Sequence, residues 1–190
     1  MPSPSPRAGD PGGSGPSGRP PGLHVVRLTP DDWRSYAELR VAMLRDAPDA
    51  FWTRLEDVEH RTETQWRRSS GPGTLQARDG HGAPLGTLTV FTEETSPALG
   101  IRPGPGDALV LAVYVIPEAR GRGVVDALLD AALTLAREEL GARRMVLQVN
   151  EHNHAARRVY ERHGYALTGE FLQHPERPGA RDLEMARPVW

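Results

Sequence analysis

Eight consecutive apolar residues, Ala108 to Val115 (ALVLAVYV), constrain the chain more than any other segment. The run has strand length, is rich in β-branched residues and ends before Pro117, so it is expected to be a strand buried on both faces. Beyond the turn Glu118 to Gly123, apolar residues fall at Val125, Leu128, Leu129, Ala132, Leu135 and Ala136. That is the spacing of one helix face, and Gly141 supplies its stop. A buried strand followed by a one-sided helix implies a sheet with helices packed on it.

The remaining segments fill in that sheet. His24 to Leu28 reads as a first strand, and Thr29-Pro30-Asp31-Asp32 offers a cap, a proline and two acids for a helix from Pro30 to about Arg45. Asp46 to Ala50 breaks it. Thr53 with Glu56 has the capping-box spacing, which predicts a second helix reaching about Arg68. Thr74 to Arg78 and Pro84 to Phe91 flank the turn-rich Asp79-Gly80-His81-Gly82 and predict an antiparallel hairpin. The proline- and glycine-rich loop from Glu93 to Gly106 is long enough to border a substrate cleft. Arg144 to Val149 predicts a strand, Ala155 to His163 a helix stopped by Gly164, and Tyr165 to Leu172 and Arg181 to Ala186 the last two strands. The fold class is α/β with a mixed sheet, in the order βααβββαβαββ.

Composition narrows the chemistry. The 190 residues carry a formal net charge of −2, and the chain has neither cysteine nor lysine, so all 23 basic residues are arginine. Thiolate nucleophiles, zinc-thiolate sites, Schiff-base lysines and the lysine of a Walker A loop are excluded. The near-neutral balance argues against a nucleic-acid partner, for which only the arginine doublets at 67-68, 143-144 and 157-158 speak. Met1 to Gly22 holds seven prolines, six glycines and four serines, and is expected to be a disordered, solvated tail preceding a single domain over residues 23–190. With no apolar run long enough for a bilayer and no signal-peptide core, a soluble cytoplasmic protein without a membrane partner is expected. His152, His154 and His163 lack metal-ligand spacing, so no metal is expected.

Arg120-Gly121-Arg122-Gly123 stands between the buried strand and the start of the amphipathic helix. A helix start presents backbone N–H groups without intrahelical partners and the positive end of the dipole, the ingredients of an anion site. Glycines let an anion approach the backbone, and arginines add charge. A dinucleotide site would need G-x-G-x-x-G, and the sixth position counted from Gly121 is Asp126.

The run LAVYVIPEARGRGV, then a helix, the strand MVLQV and NHAARRVYERHGY, resembles the GNAT superfamily of acyl-CoA dependent N-acetyltransferases. The family loop Q/R-x-x-G-x-G/A is met by Arg120 and Gly123, and the later pattern N-x-x-A-x-x-x-Y by Asn153, Ala156 and Tyr160. The likeness runs from about His24 to the end and is most specific over residues 109 to 165.

The resemblance implies acetyl-CoA as the acetyl donor. Its pyrophosphate is implied to sit on the N–H groups of Gly121, Arg122, Gly123, Val124, Val125 and Asp126, and its pantetheine arm to pair with the backbone of Val113, Tyr114 and Val115 where the central strands splay. Tyr160 has two readings: core packing on the stripe with Ala156 and Val159, or the acid that serves the departing thiolate, which the resemblance implies. The glutamate that acts as base in one branch of the family is Gln148 here, leaving Asp107, Glu151, His152 or water to take the amine's proton. Val125 stands where the family has glycine or alanine, which crowds the pyrophosphate. Arg157 and Arg158 are within reach of a 3′-phosphate or belong to a solvated helix face. Among Trp33, Tyr36, Phe51, Trp52 and Trp66, most are expected in the core and some in the acceptor pocket.

Two functional readings follow: an N-acetyltransferase acting on a small-molecule or peptidyl amine in a ternary complex, and a GNAT-like module that binds acyl-CoA without turnover. A homodimer is compatible with either.

Overall fold

The computed structural model describes residues 18–93, 103–175 and 177–190. The expected disordered tail over residues 1–17 and most of the expected cleft loop, residues 94–102, lie outside the described residues.

Seven strands form one sheet in the order β1-β2-β3-β4-β5-β7-β6. They are β1 (His24–Arg27), β2 (Thr74–Arg78), β3 (Pro84–Phe91), β4 (Asp107–Val115), β5 (Arg144–Asn150), β6 (Ala166–Gln173) and β7 (Arg181–Pro188). All neighbours pair antiparallel except β4 and β5, which are parallel because α3 (Val124–Glu138) crosses over between them. The observed succession matches βααβββαβαββ, with α1 (Trp33–Asp46), α2 (Glu63–Ser69) and α4 (His154–Arg162) completing it.

Each face of the sheet has its own core. On one, Leu128, Leu129, Ala132, Leu135 and Ala136 of α3 pack with Leu88, Val110, Met145, Leu147 and, from α4, Tyr160. These α3 positions are the ones the 3.6-residue periodicity selects. On the other, Leu39, Met43 and Leu44 of α1 pack with Val58, Trp66 and Tyr114.

Two expectations change. The second helix begins at Glu63 rather than near Thr53, because the working capping box is Thr62 with Gln65: Gln65 N–H donates to Thr62 Oγ1 at 3.4 Å and Thr62 N–H to Gln65 Oε1 at 2.7 Å. Thr53 is taken by tertiary structure, since its hydroxyl accepts from Arg40 at 2.8 Å, and a short 3-10 turn at Leu55–Asp57 stands in place of a helix. The apolar run of β4 is also not buried throughout. Ala108 to Val110 and Tyr114 are buried, whereas Leu111, Ala112 and Val113 are partly exposed, because they front a cavity.

Residues 18–22, counted with the tail by composition, lie against the sheet. Gly80 N–H donates to the Pro21 carbonyl at 3.0 Å, and Gly22 sits so close that a Cβ there would be 2.5 Å from the Gly80 Cα. No helix among the described residues is long and apolar enough to cross a membrane.

Candidate active site

β4 and β5 pair only over Asp107–Val110 with Arg144–Leu147, although β4 continues to Val115 and β5 to Asn150. Beyond Val110 the two strands part. A local cause is visible in β4: Thr87 pairs with Tyr114 and Thr89 with Leu111, so β4 carries one residue more than β3 in that interval. Ala112 takes up the extra length with a φ of +55°. Such a bulge bends its strand and interrupts the ladder. A cavity of about 680 Å³ occupies the gap, walled by Leu111, Ala112 and Val113 of β4, Gln148 and Asn150 of β5, and Asn153, Ala156 and Tyr160 at α4.

The turn after β4 leads into α3 with no side chain capping the helix. Gly121 and Gly123 have φ of +71° and +78°, and a Cβ at Gly121 would meet nothing within 4 Å. Left-handed backbone rather than lack of room therefore requires glycine at Gly121. The first intrahelical bond runs from Ala127 N–H to the Gly123 carbonyl at 3.1 Å. The amides of Val124, Val125 and Asp126 precede it and have no intrahelical acceptor.

The charged neighbours of this turn are mostly engaged. Arg120 donates through Nε to the Val115 carbonyl at 3.0 Å and pairs with Asp46 of α1, so its charge braces the turn. Arg122 donates to the Gly18 carbonyl at 2.9 Å. His163 Nε2 lies 2.7 Å from Asp126 Oδ1, and that hydrogen bond, with Arg162 nearby, holds the Asp126 carboxyl below the usual carboxylate range against the opposing effect of burial.

Across the gap, α4 is capped from within: Ala156 N–H donates to Asn153 Oδ1 at 3.1 Å. Tyr160 is only 7% exposed yet reaches the cavity, with its ring edge-on to Tyr165 at 5.9 Å. Burial pushes the Tyr160 hydroxyl pKa well above its ordinary value, so it keeps its proton at neutral pH.

The chain thus combines a splayed parallel pair, a glycine-led helix start and a buried tyrosine on α4. Residues 36–165 match the model of the Acetyltransferase (GNAT) family. The chain belongs to the GNAT acetyltransferase family. Mycothiol acetyltransferase of Salinispora tropica is 31% identical to it over 147 residues, which are 76% of this chain and 44% of that protein. The chain spans about half the length of the mycothiol acetyltransferases it matches. Among solved structures, a GCN5-related N-acetyltransferase from Kribbella flavida superposes with a TM-score of 0.66 at 25% identity, covering 88% of this chain and 98% of that one. The fold is shared with yncA from Salmonella typhimurium, solved with its cofactor acetyl-CoA, at a TM-score of 0.68 and 17% identity over 89% of this chain and 95% of that one.

Within this GNAT frame the expected site residues separate. Val113, Asn153, Ala156 and Tyr160 line the cavity, while Tyr114 turns its ring into the α1 core and Val115 gives its carbonyl to Arg120. Val125 packs partly against the α3 core. None of the expected bases is on the cavity wall. Asp107 is tied to Arg144 at 2.7 Å near the closed end of the β4–β5 pair, Glu151 to Arg181 at 2.7 Å, and the His152 side chain is exposed. Arg157 pairs with Glu161 along α4, and Arg158 is exposed. Of the aromatics, Tyr36, Phe51 and Trp52 line the cavity and Trp66 is core.

Sequence reasoning missed Asp182. It is 6% exposed on β7 and lines the cavity, where it accepts from Trp52 Nε1 at 2.6 Å and from Asn150 Nδ2 at 3.3 Å. Only the β5–β7 register, which sets Asn150 opposite Asp182 and Gln148 opposite Glu184, brings it there.

Proposed function

We propose that the chain is an acetyl-CoA dependent N-acetyltransferase that passes an acetyl group directly to a primary amine of a small molecule or peptide in a ternary complex. The observation that carries this reading is the β4–β5 gap, whose cavity Tyr160 lines from α4, taken together with the uncapped start of α3.

The residues present fit acetyl-CoA. Past Val110 the edge of β4 that faces β5 has no strand partner, and its backbone groups suit the amides of a pantetheine arm as they would suit an added strand. The free amides of Val124 to Asp126 and the α3 dipole suit a pyrophosphate. Bound there, acetyl-CoA supplies an activated thioester: the amine's N–C bond forms as the C–S bond breaks, the amine loses a proton, and coenzyme A departs as a thiol. Tyr160 holds a proton at Oη in a low-dielectric site, where a hydrogen bond to developing negative charge is strong.

Thermal melting with acetyl-CoA, paired with an assay of coenzyme A release against an amine panel, tests this. At 100 times its dissociation constant a ligand adds about 2.7 kcal/mol to native stability. A raised melting temperature with amine-dependent release is the expected result. A raised temperature without release on any amine leaves the acyl-CoA binding module, and no shift at millimolar acetyl-CoA removes both readings.

A further inference from the structure

The cleft beside the β4–β5 gap is polarised by charges that the protein does not neutralise itself. On the α1 side, Arg40 and Arg61 line the cavity. Arg40 donates to Thr53 Oγ1 at 2.8 Å and approaches Met43 Sδ at 3.9 Å, while Arg61 donates to Ser69 Oγ at 3.1 Å and lies over the Trp66 ring at 5.3 Å. Among the described residues neither meets a carboxylate, in contrast to Arg67, Arg78, Arg144 and Arg181, each of which does. Burial pulls the Arg40 guanidinium below the ordinary arginine range, with Tyr36 opposing and the neighbouring Arg61 adding to the effect. A desolvated cation without a counter-ion is costly, and the open space beside it is the cavity.

On the opposite wall the imbalance is reversed. Asp182, the one carboxylate lining the cavity among the described residues, has amide and indole donors but no cation. Beside it, the buried Gln148 Oε1 has no hydrogen-bond donor among the described residues. The strap Phe51–Thr53 runs between the walls, with Trp52 bonded to Asp182 and Thr53 to Arg40. No ion pair joins Arg40 to Asp182, although both line the cavity and are tied to neighbouring residues of the strap.

Resting on the acetyltransferase reading, we infer that the acceptor is an amine that also carries a carboxylate, with the carboxylate on Arg40 and Arg61 and the ammonium toward Asp182 and Gln148 Oε1. A plain amine would answer one wall and leave the guanidinium pair bare. A free amino acid answers both. An arginine fork bonds a carboxylate through two parallel N–H groups, and a site built for such a group discriminates strongly against an analogue lacking it.

The test compares free amino acids with their own carboxamides: common α-amino acids, and glycine, β-alanine, γ-aminobutyrate and longer homologues. Coenzyme A release and the melting shift caused by the amine alone are both read. The expected result is a kcat/KM at least about tenfold higher for the best acid than for its amide. In Arg40→Gln that preference should collapse, through a rise in KM for the acid several-fold larger than any change for the amide. Arg40→Lys, which keeps the charge without the fork, should fall between. Asp182→Asn should raise KM for acid and amide alike, since both carry the amine. Equal or better use of the amides by the unaltered protein overturns the inference and needs no variant to fold. If no amine releases coenzyme A, the acetyltransferase reading falls. The melts then decide what is left of the inference, the two-walled site for an amine bearing a carboxylate: a larger shift with acid than amide sustains that site as a binding site, and an equal or absent shift overturns it.

Discussion

The two helices that border the cleft begin in opposite ways. α4 fills its own N-terminus, since the Asn153 side chain accepts the Ala156 N–H. α3 has a left-handed glycine at the same place, no capping side chain, and amides that reach Ala127 before one is satisfied inside the helix. Both follow a strand, so strand-to-helix order does not separate them. The difference is who supplies the acceptor. α4 closes its dipole and contributes a side chain, Tyr160. α3 contributes backbone and leaves its first amides without an intrahelical acceptor, so of two similar helix starts it is the one proposed for an anion.

That contrast predicts different lesions. On the proposed reading α4 acts through one hydroxyl, so Tyr160→Phe should lower kcat by about 100-fold with acetyl-CoA affinity unchanged, and a loss within about threefold would return Tyr160 to the core-packing reading. On the same reading α3 acts through backbone and dipole, so Gly123→Asp should affect binding far more than stability. Aspartate is among the less strained replacements at a left-handed φ, though it brings a second carboxylate near Asp126, so melting should fall by a few degrees at most, while acetyl-CoA affinity should drop by about tenfold or more through repulsion of the pyrophosphate. Unchanged affinity by calorimetry would remove the anion site from α3. Asn153→Ala should cost about 1 kcal/mol, a fall of about 2–4 °C in melting temperature, because here the cap belongs to folding.

The smallest expected effect concerns pH. Asp126, in the first turn of α3, has its pKa lowered by His163, so its contribution is present above the unfolded value of about 3.9 and lost as pH falls through the lower folded value. Between neutral pH and about pH 3, Asp126→Asn should lose less stability than the unaltered chain. Identical acid profiles would mean that the His163 contact does not link the two helices energetically.

Legibility in the sequence depended on how local each signal was. The hairpin over Thr74–Arg78 and Pro84–Phe91 has the expected bounds because alternation and turn residues lie within one short stretch. The α3 stripe is equally local. The second helix was misread because Thr53-x-x-Glu56 and Thr62-x-x-Gln65 are equivalent as capping signals, and only the tertiary bond from Arg40 disqualifies Thr53. Tyr160 and the glycine turn were legible as motifs. The polar wall was not, since Asp182 joins Gln148 and Asn150 only through strand register, and Arg40 shows its missing counter-ion only once the fold fixes which carboxylates lie near it.

The single added residue in β4 has a reach beyond its own bend. Up to Leu111, odd-numbered side chains of β4 lie with Thr89 and Phe91 on the α1 face of the sheet, and after Ala112 the even-numbered Tyr114 takes that side, with Val113 and Val115 packed against the α3 core. Ala112 thus works on the strand as a one-base insertion works on a reading frame. Deleting it would restore plain alternation and leave Tyr114 toward α1 and the two valines toward α3. Keeping it in a regular ladder would instead put the rest of the strand out of frame, sending the Tyr114 ring toward α3 and the two valines toward α1.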